Sequence, residues 1–123
     1  MNRQEIFDTV AKHLLAQMKQ SKLVDQSGDA FCAYRSDDGK KCAVGALIPD
    51  ELYDPDMEDK GCEWIVQMHP DLHPYLVATD ISYGMSLIDL RRLQAIHDKK
   101  SPDVWKDVLR EHAYRNGLKW SQP

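Results

Sequence analysis

Apolar residues recur at helical spacing near the start of the chain, from residue 3 to residue 20. They stand three and four positions apart with charged residues between them, as on an amphipathic helix with one buried face. The predicted apolar stripe comprises Ile6, Phe7, Val10, Ala11, Leu14, Leu15 and Met18. The pattern therefore predicts an N-terminal helix over 3–20.

The same spacing predicts two helices in the C-terminal half. The first covers residues 86–98, with Ser86 and Asp89 at the spacing of a capping box. The second begins at the Ser-Pro-Asp sequence of residues 101–103, where a capping serine, a first-turn proline and an acid all favour a helix start. It ends at the Asn-Gly-Leu sequence of residues 116–118, which is typical of a glycine C-cap.

The middle of the chain predicts a small β element. Residues 31–35 are rich in aromatic side chains, and the Ser-Asp-Asp-Gly sequence at 36–39 is a strong turn signal. Residues 41–44 are the predicted return strand of a hairpin around that turn. Residues 42–48 suit either a strand or a short helical turn, because they form a nearly continuous apolar run that ends at Pro49.

Together these elements predict a predominantly helical α+β fold in a single globular domain over residues 1–123. A lone hairpin is marginal in water, so we expect it to pack against the N-terminal helix and the two C-terminal helices. A chain of 123 residues can bury a core without disulfides or metals. The composition, with 42% hydrophobic and 29% charged residues, excludes wholesale disorder.

Cysteine usage and hydropathy point to a location. Three cysteines, an odd number, argue against a secreted disulfide framework and favour reduced thiols. No apolar run is long enough for a transmembrane helix, and the N-terminal residues lack a hydrophobic signal core. We therefore expect a cytoplasmic protein that does not associate with membranes.

The formal net charge of −4 hides a strong local asymmetry. Residues 50–59 carry six acids and no base, whereas the rest of the chain is slightly positive. The acids are Asp50, Glu51, Asp54, Asp56, Glu58 and Asp59. A nucleic-acid-binding domain usually presents a clustered basic face, so the charge distribution argues against direct nucleic-acid binding.

The central segment carries a resemblance to a known group of proteins. Its sequence, C-A-Y-R at 32–35 and G-K-K-C-A-V-G-A-L-I-P-D-E-L-Y at 39–53, resembles uncharacterised small proteins encoded by bacteriophages and prophages. The likeness continues in L-Q-A-I-H-D at 93–98 and P-D-V-W-K-D-V-L at 102–109. It implies a phage accessory protein in the bacterial host cytoplasm, of a kind that often binds and disables a host component.

That resemblance sets the leading functional expectation. We expect a non-enzymatic protein, without cofactors, that binds and modulates or inhibits a host or defence-system protein. The predicted contact residues are Asp54, Asp56, Glu58 and Asp59, a negative patch suited to a partner with a basic surface.

Two alternative functions compete with this expectation. The first is a small-molecule or nucleotide-binding protein that sequesters a signal through the positive cluster of Arg35, Lys40 and Lys41 beside the predicted turn. The second is a cysteine-dependent enzyme. Cys42 follows two lysines, which favour a thiolate, and His97 and Asp98 supply the residue types of a Cys-His-Asp arrangement.

A metal site is the last candidate. Cys32, Cys42 and Cys62, with His69 or His73, could supply four zinc ligands. Their spacing lacks the close Cys-x-x-Cys pair that marks a structural zinc site, so we expect no bound metal.

Overall fold

A computed structural model describes all 123 residues as six α-helices and one two-stranded antiparallel sheet. The elements are α1 (Arg3–Gln17), β1 (Lys22–Val24), β2 (Ala30–Cys32), α2 (Ala43–Leu47), α3 (Cys62–Met68), α4 (His73–Leu76), α5 (Tyr83–Lys99) and α6 (Trp105–Arg115). Single 3₁₀ turns lie at Asp50–Leu52, Pro55–Met57, Pro70–Leu72 and Pro102–Val104. The predicted class, predominantly helical α+β, is confirmed.

The core lies where α1, α2, α5 and α6 meet. Helix α2 contacts both α1 and α5, and α6 contacts the same two long helices. One continuous hydrophobic cluster draws side chains from all six helices, with Trp105 and Phe7 among its largest fully buried members. The short central helix is therefore enclosed by the longer ones.

Helix α1 buries the face that its sequence predicts. Ile6, Phe7, Val10, Ala11 and Leu14 are all buried. Its last turn ends earlier than expected, because Met18 takes a left-handed conformation (φ 52°) and its side chain is 43% exposed. Its start is a reciprocal capping box between Asn2 and Glu5, which satisfies two backbone N–H groups.

Helix α5 begins three residues before the predicted start, so the proposed capping box at Ser86 is wrong. Ser82 caps the helix instead. The Ser86 hydroxyl is buried and accepts a hydrogen bond from the Ala78 N–H at 2.8 Å. Asp89 forms a bidentate ion pair with Arg3, at 2.6 and 2.9 Å, and this pair ties α5 to α1.

The sheet lies one turn earlier in the chain than the predicted hairpin. Strands β1 and β2 pair with Leu23 opposite Phe31, around a turn in which Gly28 has a φ of 86°. That positive φ favours glycine. Across the predicted turn at 36–39, only one bridge forms, between Arg35 and Lys41.

Helix α2 explains why the second hairpin does not extend. The Cys42 Sγ accepts a hydrogen bond from the Gly45 N–H at 3.3 Å and so caps a helix that begins at the next residue. The ambiguous run at 42–48 is thus helical from residue 43. A Cβ at Gly45 would lie 2.1 Å from the Tyr34 carbonyl oxygen, so only glycine permits this close approach of helix and chain.

Helix α6 ends as its sequence predicts but begins differently. Gly117 has a φ of 67°, and the Leu118 N–H donates to the Ala113 carbonyl at 2.8 Å, which confirms the glycine C-cap. Ser101 makes no side-chain capping bond, and a 3₁₀ turn precedes the helix.

Among all these helices, none is both long and apolar enough to cross a membrane.

Candidate functional site

The turn at 36–39 is held by ion pairs. Arg35 donates to the Asp50 carboxylate at 2.7 Å and to the Ile48 carbonyl at 2.5 Å, and its guanidinium lies 5.0 Å from the centre of the Tyr53 ring. Its side chain is only 16% exposed. Arg35 therefore anchors the start of the acidic segment to the turn.

The two lysines of the predicted ligand-binding cluster are also paired. Lys40 pairs with Asp38, and the hydrogen bond from Lys40 holds the pKa of Asp38 at about 2. Lys41 lies 3.4 Å from Asp50, and its charge lowers the pKa of that carboxyl group. All three cations, Arg35 included, thus have a carboxylate partner, either in the turn or at the start of the acidic segment, and none is unpaired.

The acidic segment divides into internal and outward-facing carboxylates. Glu58 is internal: it accepts hydrogen bonds from the backbone N–H groups of Tyr34 and Arg35 and from the Tyr53 hydroxyl, at 2.9, 3.1 and 2.6 Å. Asp56 and Asp59 are exposed and make no ion pair. Of the four predicted partner-binding residues, Glu58 is therefore committed to the fold.

Asp54 is the remaining member of the predicted patch. It is half-buried and accepts a hydrogen bond from the Asp56 N–H at 2.9 Å, which caps the 3₁₀ turn at Pro55–Met57. An asparagine could make the same bond. The three carboxylates available to a partner are therefore Asp54, Asp56 and Asp59.

Cys42 lies in the core and does not have the surroundings of a nucleophile. Its side chain is fully buried, and this burial raises the pKa of the thiol to about 12. The thiolate needed for attack is thus strongly disfavoured. The residue contributes packing and the cap of α2.

Cys32, and not Cys42, lies beside His97 and Asp98. Ligand atoms of these three residues fall within 4.8 Å of one another. Burial, with a further contribution from Asp98, raises the pKa of the Cys32 thiol to about 11. Cys32 and Asp98, but not His97, line a cleft of about 400 Å³ that Cys62 also lines.

Both nitrogen atoms of His97 are already engaged. Its Nε2 accepts a hydrogen bond from the Ser21 backbone N–H at 2.9 Å, so the proton of the neutral ring sits on Nδ1 and points to Asp98 at 2.7 Å. A general base needs a free lone pair, and a metal at Nδ1 would require loss of that proton. His97, which is fully buried and stacked on Trp105, is therefore a structural group.

The four predicted zinc ligands do not converge. Cys32, Cys42, Cys62 and His69 form no group with ligand atoms within 4.8 Å of one another. His69 instead packs edge-on against Trp64, with ring centres 6.0 Å apart. The set has no common centre for a metal ion.

A second basic region lies in a groove between α5 and α6, where the sequence analysis placed no site. The groove has a volume of about 510 Å³. Its lining comprises Arg92, Ala95, Ile96, Lys99, Lys100, Val108, Glu111, His112, Arg115 and Asn116. Arg92 and Lys99 stand seven positions apart on one helix face, and this spacing was the available signal.

The cations of this groove differ in their pairing. Arg115 pairs with Glu111 at 2.6 Å within α6. Arg92, Lys99 and Lys100 are exposed and have no carboxylate partner. The groove therefore presents three unpaired positive charges above an apolar floor.

His112 forms the inner end of the groove. It is 8% exposed, and its Nε2 has no hydrogen-bond partner in the protein. Burial lowers the pKa of its ring, with Arg3 and Arg92 acting in the same direction and Asp89 opposing them. The neutral ring is thus favoured at neutral pH.

The predicted Cys-His-Asp groups are not arranged for nucleophilic attack. The thiols of Cys32 and Cys42 have strongly raised pKa values, and the histidine beside Cys32 has no free lone pair. Two charged surfaces remain open to solvent: the outward carboxylates of residues 54–59 and the α5–α6 groove. No protein-family model matches the sequence, and no curated protein or solved structure matches the chain.

Proposed function

We propose that the protein acts without catalysis, by binding and modulating a host or defence-system protein in the bacterial cytoplasm. The resemblance of residues 32–53 to phage-encoded accessory proteins suggests this role. The observation that carries it is the engagement of every candidate catalytic group in the fold. Cys42 caps a helix, and His97 bonds both Ser21 and Asp98.

The surface proposed for the partner is the set of outward carboxylates, Asp54, Asp56 and Asp59. The segment that bears them is held in place by Glu58, which bonds two backbone N–H groups, and by the Arg35–Asp50 ion pair. A fixed negative patch steers a basic partner into register and accelerates encounter at low salt. Rigidity also lowers the entropic cost of association.

The test compares two charge-matched triple variants in a quantitative pull-down from bacterial host lysate. D54N/D56N/D59N neutralises the proposed surface, while the asparagine that replaces Asp54 can still cap its turn. The control is D29N/D37N/D103N, which changes the net charge equally at exposed positions elsewhere. The melting temperature of each variant should differ from the wild-type value by at most about 1 °C for each substituted residue, since exposed charges contribute little to stability.

The proposal expects a host protein to be retained in stoichiometric amount by the wild-type chain and by the control. The D54N/D56N/D59N variant should retain about tenfold less at low ionic strength, and the difference should shrink at high salt. Equal retention by both variants would exclude the acidic surface. Absence of any stoichiometric partner would overturn the function itself.

The two alternative functions, nucleotide binding at the turn and cysteine-dependent catalysis, have less support from the geometry. A nucleotide site at Arg35, Lys40 and Lys41 would require three cations that already pair with Asp38 and Asp50. A cysteine-dependent enzyme would require a thiolate that burial disfavours at both Cys32 and Cys42. Neither is the function that the geometry supports best.

A further inference from the structure

The α5–α6 groove combines a sizeable cavity, unpaired cations and an apolar floor. Its volume of about 510 Å³ lies within the range of small-molecule sites in proteins. Three of its cations, Arg92, Lys99 and Lys100, have no carboxylate partner and line the same groove, whereas the three cations beside the turn are all paired. The unpaired charges flank a floor formed by Ala95, Ile96 and Val108.

The C-terminal end of α5 repels an anion in this groove less strongly than a helix end with unpaired carbonyl groups would. Exposed carbonyl oxygens at a helix C-terminus repel anions. Here Gln20 donates to the carbonyls of His97 and Asp98 at 2.9 and 3.2 Å, and the Trp105 indole donates to the Lys100 carbonyl at 3.0 Å. These donors offset the negative end of the dipole next to Lys99.

The His112 ring stacks on Phe7 at the inner end of the groove and has one buried nitrogen atom without a hydrogen-bond partner. The Asn116 amide is oriented by Arg3, which donates to its oxygen at 2.9 Å, and by the His112 carbonyl, which accepts from its nitrogen at 2.7 Å. That nitrogen therefore faces the His112 Nδ1, at 3.5 Å. With Nδ1 facing a donor, the ring proton sits on Nε2, the buried atom without a partner.

We propose that this groove binds a small phosphate-bearing molecule of mononucleotide size. The phosphate would lie against Arg92, Lys99 and Lys100, since neighbouring cations and a phosphate form charge-assisted hydrogen bonds. The apolar or aromatic part of the ligand would cover Val108 and the neighbouring floor. This site goes beyond the proposed host-protein binding and does not depend on it, because the two surfaces use different residues.

A small ligand fits these observations better than a nucleic-acid strand. The three unpaired cations of the groove come from one short segment, residues 92–100, whereas strand-binding proteins carry an extended basic track with several stacking aromatics. The chain as a whole has a net charge of −4, which repels a long polyanion. The apolar floor matches a single base or comparable group.

The experiment titrates the ¹⁵N-labelled protein with the four ribonucleoside monophosphates, at low salt, and follows backbone amide shifts. At least one nucleotide should bind saturably at one site per chain with a Kd below about 1 mM, a modest affinity for an open groove. The shifts should centre on residues 92–100 and 108–116. The corresponding nucleoside and inorganic phosphate should each bind about tenfold more weakly, because each offers only half of the contacts.

Two double variants decide whether the groove is the site. R92Q/K99Q should weaken binding about tenfold or more without changing the melting temperature, because both side chains are exposed and unpaired. The matched control K12Q/K19Q removes two charges from exposed lysines outside the groove and should leave the Kd within about twofold.

Three results would overturn the inference. They are failure of all four nucleotides to bind up to about 5 mM, an unchanged Kd in R92Q/K99Q, and a single-stranded oligonucleotide that binds the same residues more tightly than any mononucleotide. The last would assign the groove to nucleic acid. A protein partner lost only with D54N/D56N/D59N would leave the proposed function standing in each case.

Discussion

Two basic regions of this molecule have nearly the same composition but differ in whether their cations are paired with carboxylates. At the turn, Arg35 and Lys41 share Asp50, and Lys40 pairs with Asp38. In the α5–α6 groove, Arg92 and its two lysine neighbours face solvent without carboxylate partners. The turn therefore uses its positive charge to hold the chain together, and the groove leaves its charge available.

The difference follows from how the charges are spaced along the chain. The turn places acids within two to fifteen residues of its cations, so neutralisation needs little ordering of the backbone. The three unpaired cations of the groove lie on α5 and its C-cap residue, and the helix surface directs the nearby acids elsewhere: Asp89 faces Arg3, and Asp98 faces His97. A compact positive cluster in a sequence is thus a poorer guide to an anion site than charges distributed over one face.

The largest expected effect is on the scaffold beneath the turn. Gly45→Ala should lower the free energy of unfolding by at least about 3 kcal/mol, because its Cβ would overlap the Tyr34 carbonyl oxygen. Urea unfolding followed by circular dichroism measures this. Gly84→Ala is the matched control, since no atom lies within 4 Å of the added Cβ, and it should be neutral or slightly stabilising. Equal effects would mean that α2 can move away from Tyr34.

A pair of arginine truncations tests the contrast between the two regions directly. Arg35→Ala should cost about 2 kcal/mol of stability, because the Ile48 carbonyl loses its donor and the Tyr53 ring its covering guanidinium. Arg92→Ala should change stability by less than about 0.5 kcal/mol, as expected for an exposed unpaired side chain. Thermal and urea unfolding of both variants measure the difference, and similar costs would abolish the distinction between a structural and an available cation.

Acidification should weaken the fold through two histidines, one near each region. Burial lowers the pKa of both His13 and His112 from the ordinary value of 6.5. The unfolded chain therefore binds more protons than the folded one, so stability is lost as the pH falls below about 6.5. His13 also faces Lys41 and His97, and His112 faces Asp89, Arg3 and Arg92.

His112→Gln should reduce the slope of the unfolding free energy against pH between about pH 6.5 and 5. The slope that remains is the contribution of His13. Comparing slopes rather than absolute stabilities removes the packing cost of the substitution. The pKa values of Asp38 and Asp50 are lowered from 3.8 in the folded chain. Their protonation should therefore cause a second loss of stability, at pH values near and below 3.8. An unchanged slope in the variant would show that the pKa of His112 is the same in the folded and unfolded chains.

The last expected effect is kinetic and concerns the reactivity of the thiols that lie near the turn. With a pKa of about 11, only about one Cys32 side chain in a thousand is a thiolate at pH 8. Labelling of the native protein with a disulfide reagent should therefore be about a hundredfold slower than in guanidinium chloride. Rapid native labelling of Cys32 or Cys42, located by peptide mapping, would restore the cysteine-dependent alternative.

Helical periodicity predicted the long elements because local spacing alone determines which face is apolar. The stripe from Ile6 to Leu14 is buried, and Gly117 ends α6 as its sequence indicates. Helix starts were predicted less well. Ser86 and Asp89 have the spacing of a capping box, but the Ser86 hydroxyl accepts a hydrogen bond from the Ala78 N–H. Only the folding of the preceding loop brings Ala78 close to Ser86.

The candidate site was harder to predict than the fold, because its chemistry depends on distant neighbours. The sequence joined Cys42 to His97 and Asp98 by residue type, whereas the structure brings Cys32 to them. The Ser21 N–H on the His97 ring, 76 residues away along the chain, removes the free lone pair that catalysis would need. No local pattern contains that contact.

The sequence by itself determined the helical class, the apolar faces of the long helices and the density of acids in residues 50–59. These properties depend on residue type and on spacing within a few turns. Only the tertiary structure decided which charges are neutralised, because pairing depends on distances between side chains from separate elements. It turned Glu58 into an internal anchor, tied Arg35 to the acidic segment and left Arg92 free in the groove.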